Sequence, residues 1–484
     1  MIIIMNIIFI VAYLFCSPLF STGFFHSNKK WNHHILEQRY RSRFHCSMIH
    51  KRELKQSILY DPPSHLVESH TNILKNITGF YGLIGPDINK HSVKTLYDLF
   101  VGDGMVQGVF LDGTKNITFV RHFVRTEKMV FENMYGKFSK NILMTPFYIL
   151  LNKLGMLPNV LGLANTAFLK VGSNIFTLFE RDHPYLMNVD FENKQIYTIR
   201  KVPINGLEHF SGHSKYDDQT NIIHTIDYDV VFGTLSYFKL DRIFGKLHKV
   251  SFKTEYIPII HDFYVLENGG FLFIESPFVC DFRSRIPVVF SKEKPTIIHL
   301  YNSSSRVHTR FQTEESFYLF HYGKVVQTES AIEIYGPLYE EIDFSSLNIE
   351  GKYRKIMVDL RTGGVSVEKN PELETLNLDF PVQWGEYTVL RKIENRKIVG
   401  FVVCKELEIV SKVDLPKNRY FCGEPGITTI EGRPFLIGFS YDDFENGFLQ
   451  IINLFDPTEN FIDIPLLNES PLSIGFHSIF IGKK

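Results

Sequence analysis

The chain has 484 residues, with 52 lysines and arginines against 53 aspartates and glutamates, so its formal net charge is −1. This balance argues against a protein that binds nucleic acid through a basic surface. The five cysteines are isolated, with no Cys-x-x-Cys pair, which excludes a disulfide scaffold and a zinc ribbon. The length leaves room for two ordinary domains or for one large β architecture.

The first 56 residues differ from the rest and are predicted to be a leader outside the folded domain. Residues 1–25 carry no charged side chain and are mostly apolar, which is typical of a signal peptide or a membrane anchor. Residues 26–56 form a basic targeting or linker segment with eight lysines and arginines against two glutamates. This combination indicates a two-part leader for a plastid-type organelle. The alternatives are the secretory pathway and a signal anchor whose basic flank stays cytoplasmic.

Residues 57–484 are predicted to form one all-β domain, because short apolar or alternating runs are separated by turn residues. The predicted strands are Gly108–Leu111, Ile117–Val124, Ile175–Phe179, Phe271–Ile274, Phe317–Phe320, Ala331–Tyr335, Lys355–Leu360, Lys397–Cys404, Pro434–Tyr441 and Phe448–Leu454. Between strands, Asp112-Gly113, Gly269-Gly270 and Glu445-Asn446-Gly447 suit hairpin turns. The chain has no strand–helix alternation, no glycine-rich dinucleotide motif and no phosphate loop.

Evenly spaced hairpins over this length favour a β-propeller or a pair of β-sandwiches. Seven four-stranded blades would take about 61 residues each, somewhat more than the roughly 40–50 residues of compact blade types. In a propeller the innermost strands of successive blades converge on the central axis. Residues that are far apart in sequence can therefore meet there.

Residues 140–163 depart from the β pattern. This segment is strongly apolar and predicts one or two short helices, interrupted by Pro146 and Pro158. It suits either a patch that enters one membrane leaflet near a substrate entrance or a buried helix that caps the propeller.

Four histidines lie in separate short motifs spread over the chain. They are His213 in Phe-Ser-Gly-His-Ser-Lys, His261 in Ile-Pro-Ile-Ile-His-Asp-Phe, His321 in Phe-Tyr-Leu-Phe-His-Tyr and His477 in Ile-Gly-Phe-His. Neutral imidazole is the commonest protein ligand for a first-row transition metal. Four imidazoles without a carboxylate would leave the full positive charge on the metal and coordination positions open for dioxygen. The set predicts a redox site for an apolar substrate.

Several local motifs follow one another along the chain. They are Val101–Phe110, Phe123–Lys128, Ala164–Ala167, Leu178–Tyr185, Phe210–Asp217, Ile257–Asn268, Gly423–Gly426 and Gly475–His477. In this order they resemble the motifs of the carotenoid cleavage oxygenases, a family that includes the retinoid isomerases. The resemblance implies a seven-bladed β-propeller with a helical cap over the substrate entrance. It also implies a non-haem iron(II) dioxygenase that uses dioxygen to cleave a double bond of a carotenoid or apocarotenoid into two carbonyl products.

The resemblance further implies the residues of the site. One iron per chain would be held by four histidines, His213, His261, His321 and His477. Three carboxylates would accept N–H bonds from the imidazoles and so fix the ring orientation. These carboxylates are Glu180, Asp379 and Glu424.

Three positions depart from the family pattern. Asp379 stands where glutamate is usual, so its shorter side chain has less reach towards an imidazole. The residues after His321 are also unusual, which leaves His299 and His308 as rivals for the third ligand. Gln107 stands where relatives usually have histidine, and it is not expected to be a ligand.

Other interpretations stay open. The same site would suit isomerisation of a retinoid-like ester or cleavage of a stilbene-type olefin. The departures at Asp379 and around His321 would also suit a propeller that binds lipid without catalysis. In each case the expected partner is an apolar polyene or lipid, with peripheral contact to a membrane.

Overall fold

The computed structural model describes residues 53–88, 93–139, 144–267, 269–281, 283–284, 288–457, 461–466 and 472–483. The predicted signal peptide or anchor, residues 1–25, and most of the basic segment, residues 26–56, lie outside the described residues. The described residues belong to two compact units. One contains residues 53–54 and 125–162, and the other lies within 55–124 and 163–484.

The larger unit is built from short antiparallel strands. In the first half of the chain these are β1 (Leu54–Leu59), β2 (Thr78–Pro86), β3 (Gly104–Asp112), β4 (Asn116–Phe123), β5 (Ala167–Val171), β6 (Asn174–Leu178), β7 (Tyr185–Asp190), β8 (Gln195–Lys201), β9 (Lys215–Asp217), β10 (Ile222–Asp229), β11 (Thr234–Asp241) and β12 (Lys246–Lys253). The middle strands are β13 (Tyr264–Val265), β14 (Phe271–Glu275), β15 (Phe278–Cys280), β16 (Val288–Phe290), β17 (Ile297–Asn302), β18 (Val307–Gln312), β19 (Tyr318–Leu319), β20 (Val325–Gln327), β21 (Ala331–Tyr339), β22 (Lys352–Asp359) and β23 (Val365–Glu368). The last are β24 (Leu378–Trp384), β25 (Tyr387–Glu394), β26 (Lys397–Lys405), β27 (Glu408–Asp414), β28 (Arg419–Phe421), β29 (Gly426–Ile430), β30 (Arg433–Asp442), β31 (Gly447–Asn453), β32 (Phe461–Leu466) and β33 (Ser478–Gly482).

Helices are short and few among the described residues. In chain order they are α1 (Val67–Lys75), α2 (Leu96–Phe100), α3 (Glu127–Tyr135), α4 (Thr145–Lys153) and α5 (Pro371–Glu374). Of these, α3 and α4 form the smaller unit.

The strands form seven antiparallel blades that follow one another along the chain. Blade 1 has the order β1-β4-β3-β2-β33, and blades 2, 3 and 4 contain β5–β8, β9–β12 and β13-β14-β17-β18. Blade 5 contains β19–β23. Blades 6 and 7, with β24–β27 and β28–β32, are joined into one nine-stranded sheet by the pairing of Ile398 with Phe421. The hairpin β15–β16 is an addition to blade 4.

The last described strand completes the first blade and so closes the ring of blades. Strand β33 pairs antiparallel with β2, so that Ser478 lies opposite Leu83 and Gly482 opposite Gly79. Contacts of β33 with β5 and β29 connect blade 1 to blades 2 and 7. The predicted all-β, seven-bladed propeller is therefore confirmed.

The core lies between neighbouring blades. Phe80 and Phe110 of blade 1 pack with Met187 of blade 2, and Tyr237 of blade 3 stacks on Phe271 of blade 4 with ring centroids 4.0 Å apart. Because each blade is covered on both faces, central strands are buried along their whole length and are continuously apolar. This burial explains why runs such as Phe271–Ile274 are recognisable as strands.

The described part of the predicted segment, residues 144–163, contains one short helix, α4, and α3 lies before the segment. Pro146 lies in the first turn of α4 and does not interrupt a helix, because a proline loses no backbone hydrogen bond at that position. Pro158 lies in the irregular chain after α4. The predicted interruption at Pro146 is therefore wrong, because a proline breaks a helix in its interior but not in its first turn.

The smaller unit exposes several large apolar side chains. Phe131 stacks on Phe138, whose ring meets Tyr148 edge-on. The exposed large apolar side chains on the same unit are Met134, Tyr135, Met144, Phe147, Leu154 and Met156. Within the described residues, none of the helices combines the length and apolar composition needed to cross a bilayer.

Candidate metal centre

The four predicted histidines lie at the ends of innermost strands in four different blades. His213 precedes β9, His261 precedes β13, His321 follows β19 and His477 directly precedes β33. Innermost strands line the propeller axis, so these ends deliver the imidazoles to one point.

The geometry of the cluster is tight. The ring centroid of His213 lies 4.4 Å from that of His261, 4.6 Å from that of His477 and 4.9 Å from that of His321. One ring nitrogen from each of the four lies within 4.8 Å of the others. The Nε2 atoms of His213 and His261 are 2.9 Å apart, so two imidazole nitrogens face each other.

Two carboxylates lie against imidazole Nδ1 atoms on the outer side of the cluster. Glu180 contacts Nδ1 of His261, and Oε1 of Glu424 lies 3.1 Å from Nδ1 of His477. The second Glu424 oxygen accepts the backbone N–H of Ser478 at 2.7 Å. A carboxylate on Nδ1 leaves Nε2 as the lone-pair nitrogen and aims it inwards.

The four histidines and the three predicted carboxylates are distributed over the seven blades. Blades 1, 3, 4 and 5 carry the histidines. Blades 2, 6 and 7 carry the three predicted carboxylates: Glu180 lies between β6 and β7, Asp379 within β24, and Glu424 between β28 and β29. Each blade thus contributes one of the seven residues.

Asp379 does not take the place predicted for it. Its two oxygens accept hydrogen bonds from Nε and a terminal nitrogen of Arg391 at 2.8 and 2.9 Å. Neither ring nitrogen of His321 has a hydrogen-bond partner among the described residues. Asp379 lies directly opposite Arg391 in the β24–β25 register, so the short carboxylate meets the guanidinium instead of an imidazole.

The rival histidines lie outside the cluster. His299 is buried on β17, where its Nε2 lies 2.8 Å from Oε2 of Glu275 and its Nδ1 lies 3.0 Å from Nε2 of His308. Gln107 is also outside the cluster. Its amide exchanges two hydrogen bonds of 2.9 Å with the backbone of Ser473, which ties down the segment before His477.

Burial lowers the pKa of two histidines of the cluster, His213 and His321. Burial lowers the pKa of His213 well below its ordinary value, and His261, His477 and His321 lower it further. His321 has a pKa lowered well below the ordinary value for the same reasons, burial first and then its histidine neighbours. Burial alone would raise the pKa of Glu180, but the adjacent His261 and further polar contacts bring the net shift below the usual value. Neutral imidazoles backed by an ionised carboxylate are the forms that bind a metal.

These features fit a metal ion. Both ring nitrogens of His321 and Nε2 of His477 are buried without a hydrogen-bond partner among the described residues. A buried polar atom left unpaired costs about 1–3 kcal/mol, and a cation shared by the imidazole nitrogens would remove that cost. The four histidines form the group that could hold the ion. An all-imidazole donor set suits zinc, copper, iron or nickel.

A cavity of about 1350 Å³ opens onto the cluster. Its wall includes His261, His321 and His477. Many of the other lining side chains are apolar, among them Leu96, Leu99, Phe100, Phe320, Phe344 and Phe476. An elongated apolar molecule therefore has room to lie against the imidazoles.

Two residues of the cavity wall, Phe380 and Arg391, were not predicted from the sequence. Phe380 contacts His321, with ring centroids 4.5 Å apart, and Arg391 lies over the Phe380 ring. The pairing of Arg391 with Asp379 depends on strand register, which no local motif records. The Leu-Asp-Phe-Pro motif was the available signal for Phe380, because it places an aromatic residue next to a predicted site residue.

Close backbone packing joins Glu424 to His477. A Cβ atom on Gly423 would lie 2.6 Å from the carbonyl oxygen of Gly475 and 2.9 Å from Leu83. The amide of Gly475 donates to Cys422 at 2.8 Å on the same ladder. Only glycine at position 423 permits this approach.

We expect Gly423→Ala to lower the free energy of unfolding by about 1–3 kcal/mol, because overpacking forces the two segments apart. Thermal unfolding with metal analysis measures both stability and the metal content of the displaced site. Gly482→Ala is the matched control, since its Cβ would meet nothing within 4 Å. Equal melting temperatures for the two variants would contradict the packing argument.

Comparison with known proteins agrees with the fold and the motifs. A family model described as retinal pigment epithelial membrane protein matches residues 67–425. A chloroplastic 9-cis-epoxycarotenoid dioxygenase of Oryza sativa subsp. japonica is 25% identical over 222 residues, covering 42% of this chain and 38% of the relative. A probable chloroplastic carotenoid cleavage dioxygenase of Arabidopsis thaliana is 26% identical over 225 residues, covering 43% and 37%. These matches span little more than a third of the length of the relatives.

Solved structures show the same fold. A Synechocystis apocarotenoid oxygenase superposes with a TM-score of 0.70 at 19% identity, covering 89% of this chain and 96% of the other. A lignostilbene dioxygenase of Pseudomonas brassicacearum gives a TM-score of 0.69 at 15% identity with the same coverage. Because the family model matches most of this chain, residues 67–425, the chain belongs to the retinal pigment epithelial membrane protein family, the family of carotenoid cleavage oxygenases.

Proposed function

We propose that the protein is an oxidoreductase, a non-haem iron(II) dioxygenase that cleaves a double bond of a carotenoid or apocarotenoid into two carbonyl products. The observation that carries this proposal is the group of four imidazoles on the wall of a large, mainly apolar cavity. The names of the chloroplastic relatives and of the Synechocystis neighbour support the same substrate class.

The histidines have a defined task in this proposal. His213, His261, His321 and His477 hold one iron(II) as neutral ligands, while Glu180 and Glu424 keep two of the rings aimed inwards. Bound iron(II) supplies the redox chemistry with dioxygen. Affinity alone would favour copper at an all-imidazole site, so the assignment of iron rests on the family. A cobalt-substituted form of the Synechocystis oxygenase has the same fold.

The cavity binds and aligns the substrate. Phe320 and Phe476 lie next to histidines in sequence and line the cavity with them, so a polyene bound there would have apolar contacts close to the metal. Apolar walls also exclude water from the reacting double bond. No acid–base pair is required for this chemistry, because both oxygen atoms of the products come from dioxygen.

The experiment is incubation of the iron-loaded full chain with a panel of carotenoids and apocarotenoids under isotopically labelled dioxygen. Cleavage predicts label in two carbonyl products whose lengths identify the bond. An isomerised product without label would indicate retinoid-type chemistry instead. A protein that holds no iron and forms no oxygenated product would instead be a lipid-binding propeller without catalysis.

A stilbene-type substrate is the second candidate. It is supported by the lignostilbene dioxygenase that shares the fold. Adding a hydroxylated stilbene to the same panel separates the two substrate classes, because stilbene cleavage yields two aromatic aldehydes.

We also propose a plastid-type location with peripheral membrane contact. The leader composition and the chloroplastic relatives support the location, and the exposed Phe147, Leu154 and Met156 support the membrane contact. A fluorescent fusion of residues 1–56 tests the address, with secretory or anchored localisation as the contrary result.

A further inference from the structure

Phe380 has an unusual backbone. It lies in β24 immediately after Asp379, at an irregularity in the pairing with β25 between Asp379 and Val382. Its φ is +45°, a conformation that bulky side chains rarely adopt. Such strain persists only where surrounding contacts demand it, and it concentrates at functional sites.

The strained backbone turns the Phe380 ring towards the cluster. The ring centroid lies 4.5 Å from that of His321 and 4.9 Å from that of His477. The guanidinium carbon of Arg391 lies 3.5 Å from the same ring centroid, within the range of a cation–π contact. Phe380 is thus held by a cation and rests on two imidazoles.

Arg391 is itself immobilised. Its fork is paired with both oxygens of Asp379, at 2.8 and 2.9 Å, and both side chains are buried. A bidentate pair of this kind fixes the plane of the guanidinium as well as its position. Since the guanidinium lies over Phe380, fixing it also limits the movement of the ring.

Three of the four histidines are therefore supported in two different ways. His261 and His477 each contact a carboxylate, Glu180 and Glu424. His321 has no hydrogen-bond partner among the described residues, and its imidazole packs on Phe380. An aromatic face is a weak acceptor for an imidazole N–H.

We propose that Phe380, clamped by the Asp379–Arg391 pair, is a positioning residue that orients His321 by packing in place of a carboxylate hydrogen bond. This inference rests on the proposed function only in taking the four histidines as metal ligands. In this arrangement Asp379 holds Arg391, and Arg391 holds Phe380 against His321. Asp379 therefore acts on the imidazole without bonding to it. His321 becomes the ligand whose orientation depends on side-chain packing.

The test uses Phe380→Leu in the full chain and measures cobalt(II) affinity by dialysis, together with the visible spectrum of the bound cobalt(II). No polyene is added, so a role in substrate contact cannot affect the result. We expect the dissociation constant for cobalt(II) to rise about tenfold or more, with a changed spectrum, as for other residues that orient metal ligands.

The chain offers a matched control. Arg419 lies 3.3 Å from the ring centroid of Phe448 and pairs with Asp463 at 3.1 Å, repeating the acid–arginine–aromatic arrangement away from the cavity lining. Phe448→Leu should leave cobalt(II) affinity within about twofold of the wild type and its spectrum unchanged, since it touches no ligand. A circular-dichroism melt confirms that both variants fold.

Arg391→Lys is the second variant, because it keeps the charge and the buried volume but loses the planar fork. We expect it to shift the cobalt(II) spectrum in the same direction as Phe380→Leu, with Arg419→Lys as its control. If Phe380→Leu and Arg391→Lys both keep the wild-type cobalt(II) affinity and spectrum, the inference is overturned but the proposed function is not. A wild-type protein that binds no divalent metal would overturn the proposed function as well.

Discussion

We expect His261→Ala to lose its iron and to cleave substrate about a thousandfold more slowly than the wild type. A metal ion supplies several kcal/mol of transition-state stabilisation, and about 4 kcal/mol corresponds to this factor. His261 lies beside His213, with Nε2 atoms 2.9 Å apart, so its removal opens the centre of the cluster. Iron per chain and initial rates of product formation are the two measurements.

His248→Ala is the control for this prediction. His248 is exposed on β12, at the outer edge of blade 3, so its loss should leave iron content and rate within about twofold. A His261→Ala protein with full iron and unchanged turnover would show that the cluster is not the metal site.

Ending the chain after His477 should reduce metal binding at least tenfold although all four histidines are still present. The truncation removes β33, which pairs with β2 from Gly79 to Leu83, and with it Ile479 and Ile481 of the core between blades 1 and 2. Two partly buried isoleucines contribute about 2–4 kcal/mol. The exposed edge of β2 adds to this loss, against a total stability of about 5–15 kcal/mol.

Thermal unfolding and iron analysis of the truncated chain test the prediction. We expect no cooperative transition near that of the full chain, and iron reduced at least tenfold. A chain that ends after Gly482 keeps the whole of β33 and should behave as the full protein. Normal melting and full iron in the chain that ends at His477 would show that the ring does not need this closure.

Much of the fold was predictable because blade strands are local features. Each of the ten predicted strands overlaps a strand of the structure, since alternation of apolar runs and turn residues needs no knowledge of distant partners. The hairpin turn at Asp112-Gly113 was predictable for the same reason, and Gly113 adopts a φ of +77° there. The predicted interruption at Pro146 is wrong, because the effect of a proline depends on where the helix begins.

The sequence predicts the four histidines of the site correctly, but it predicts the residues that contact them less well. The four histidines chosen from their motifs are the four that the structure brings together, and Glu180 and Glu424 lie behind two of them. The motif predicts Asp379 behind an imidazole, with less reach than a glutamate, whereas the structure pairs it with Arg391. A missing methylene group changes which neighbour a carboxylate reaches, and a motif does not carry that information.

The all-β class, the ordered family motifs and the identity of the clustered histidines can be read from the sequence, because each depends on a few adjacent residues. Three features become visible only in the folded protein: β33 closes the ring, the cavity opens onto three of the histidines, and Phe380 lies between Arg391 and His321. These outcomes depend on strand register and on side-chain reach across blades. Both are set by the packing of segments that are remote from one another in the chain.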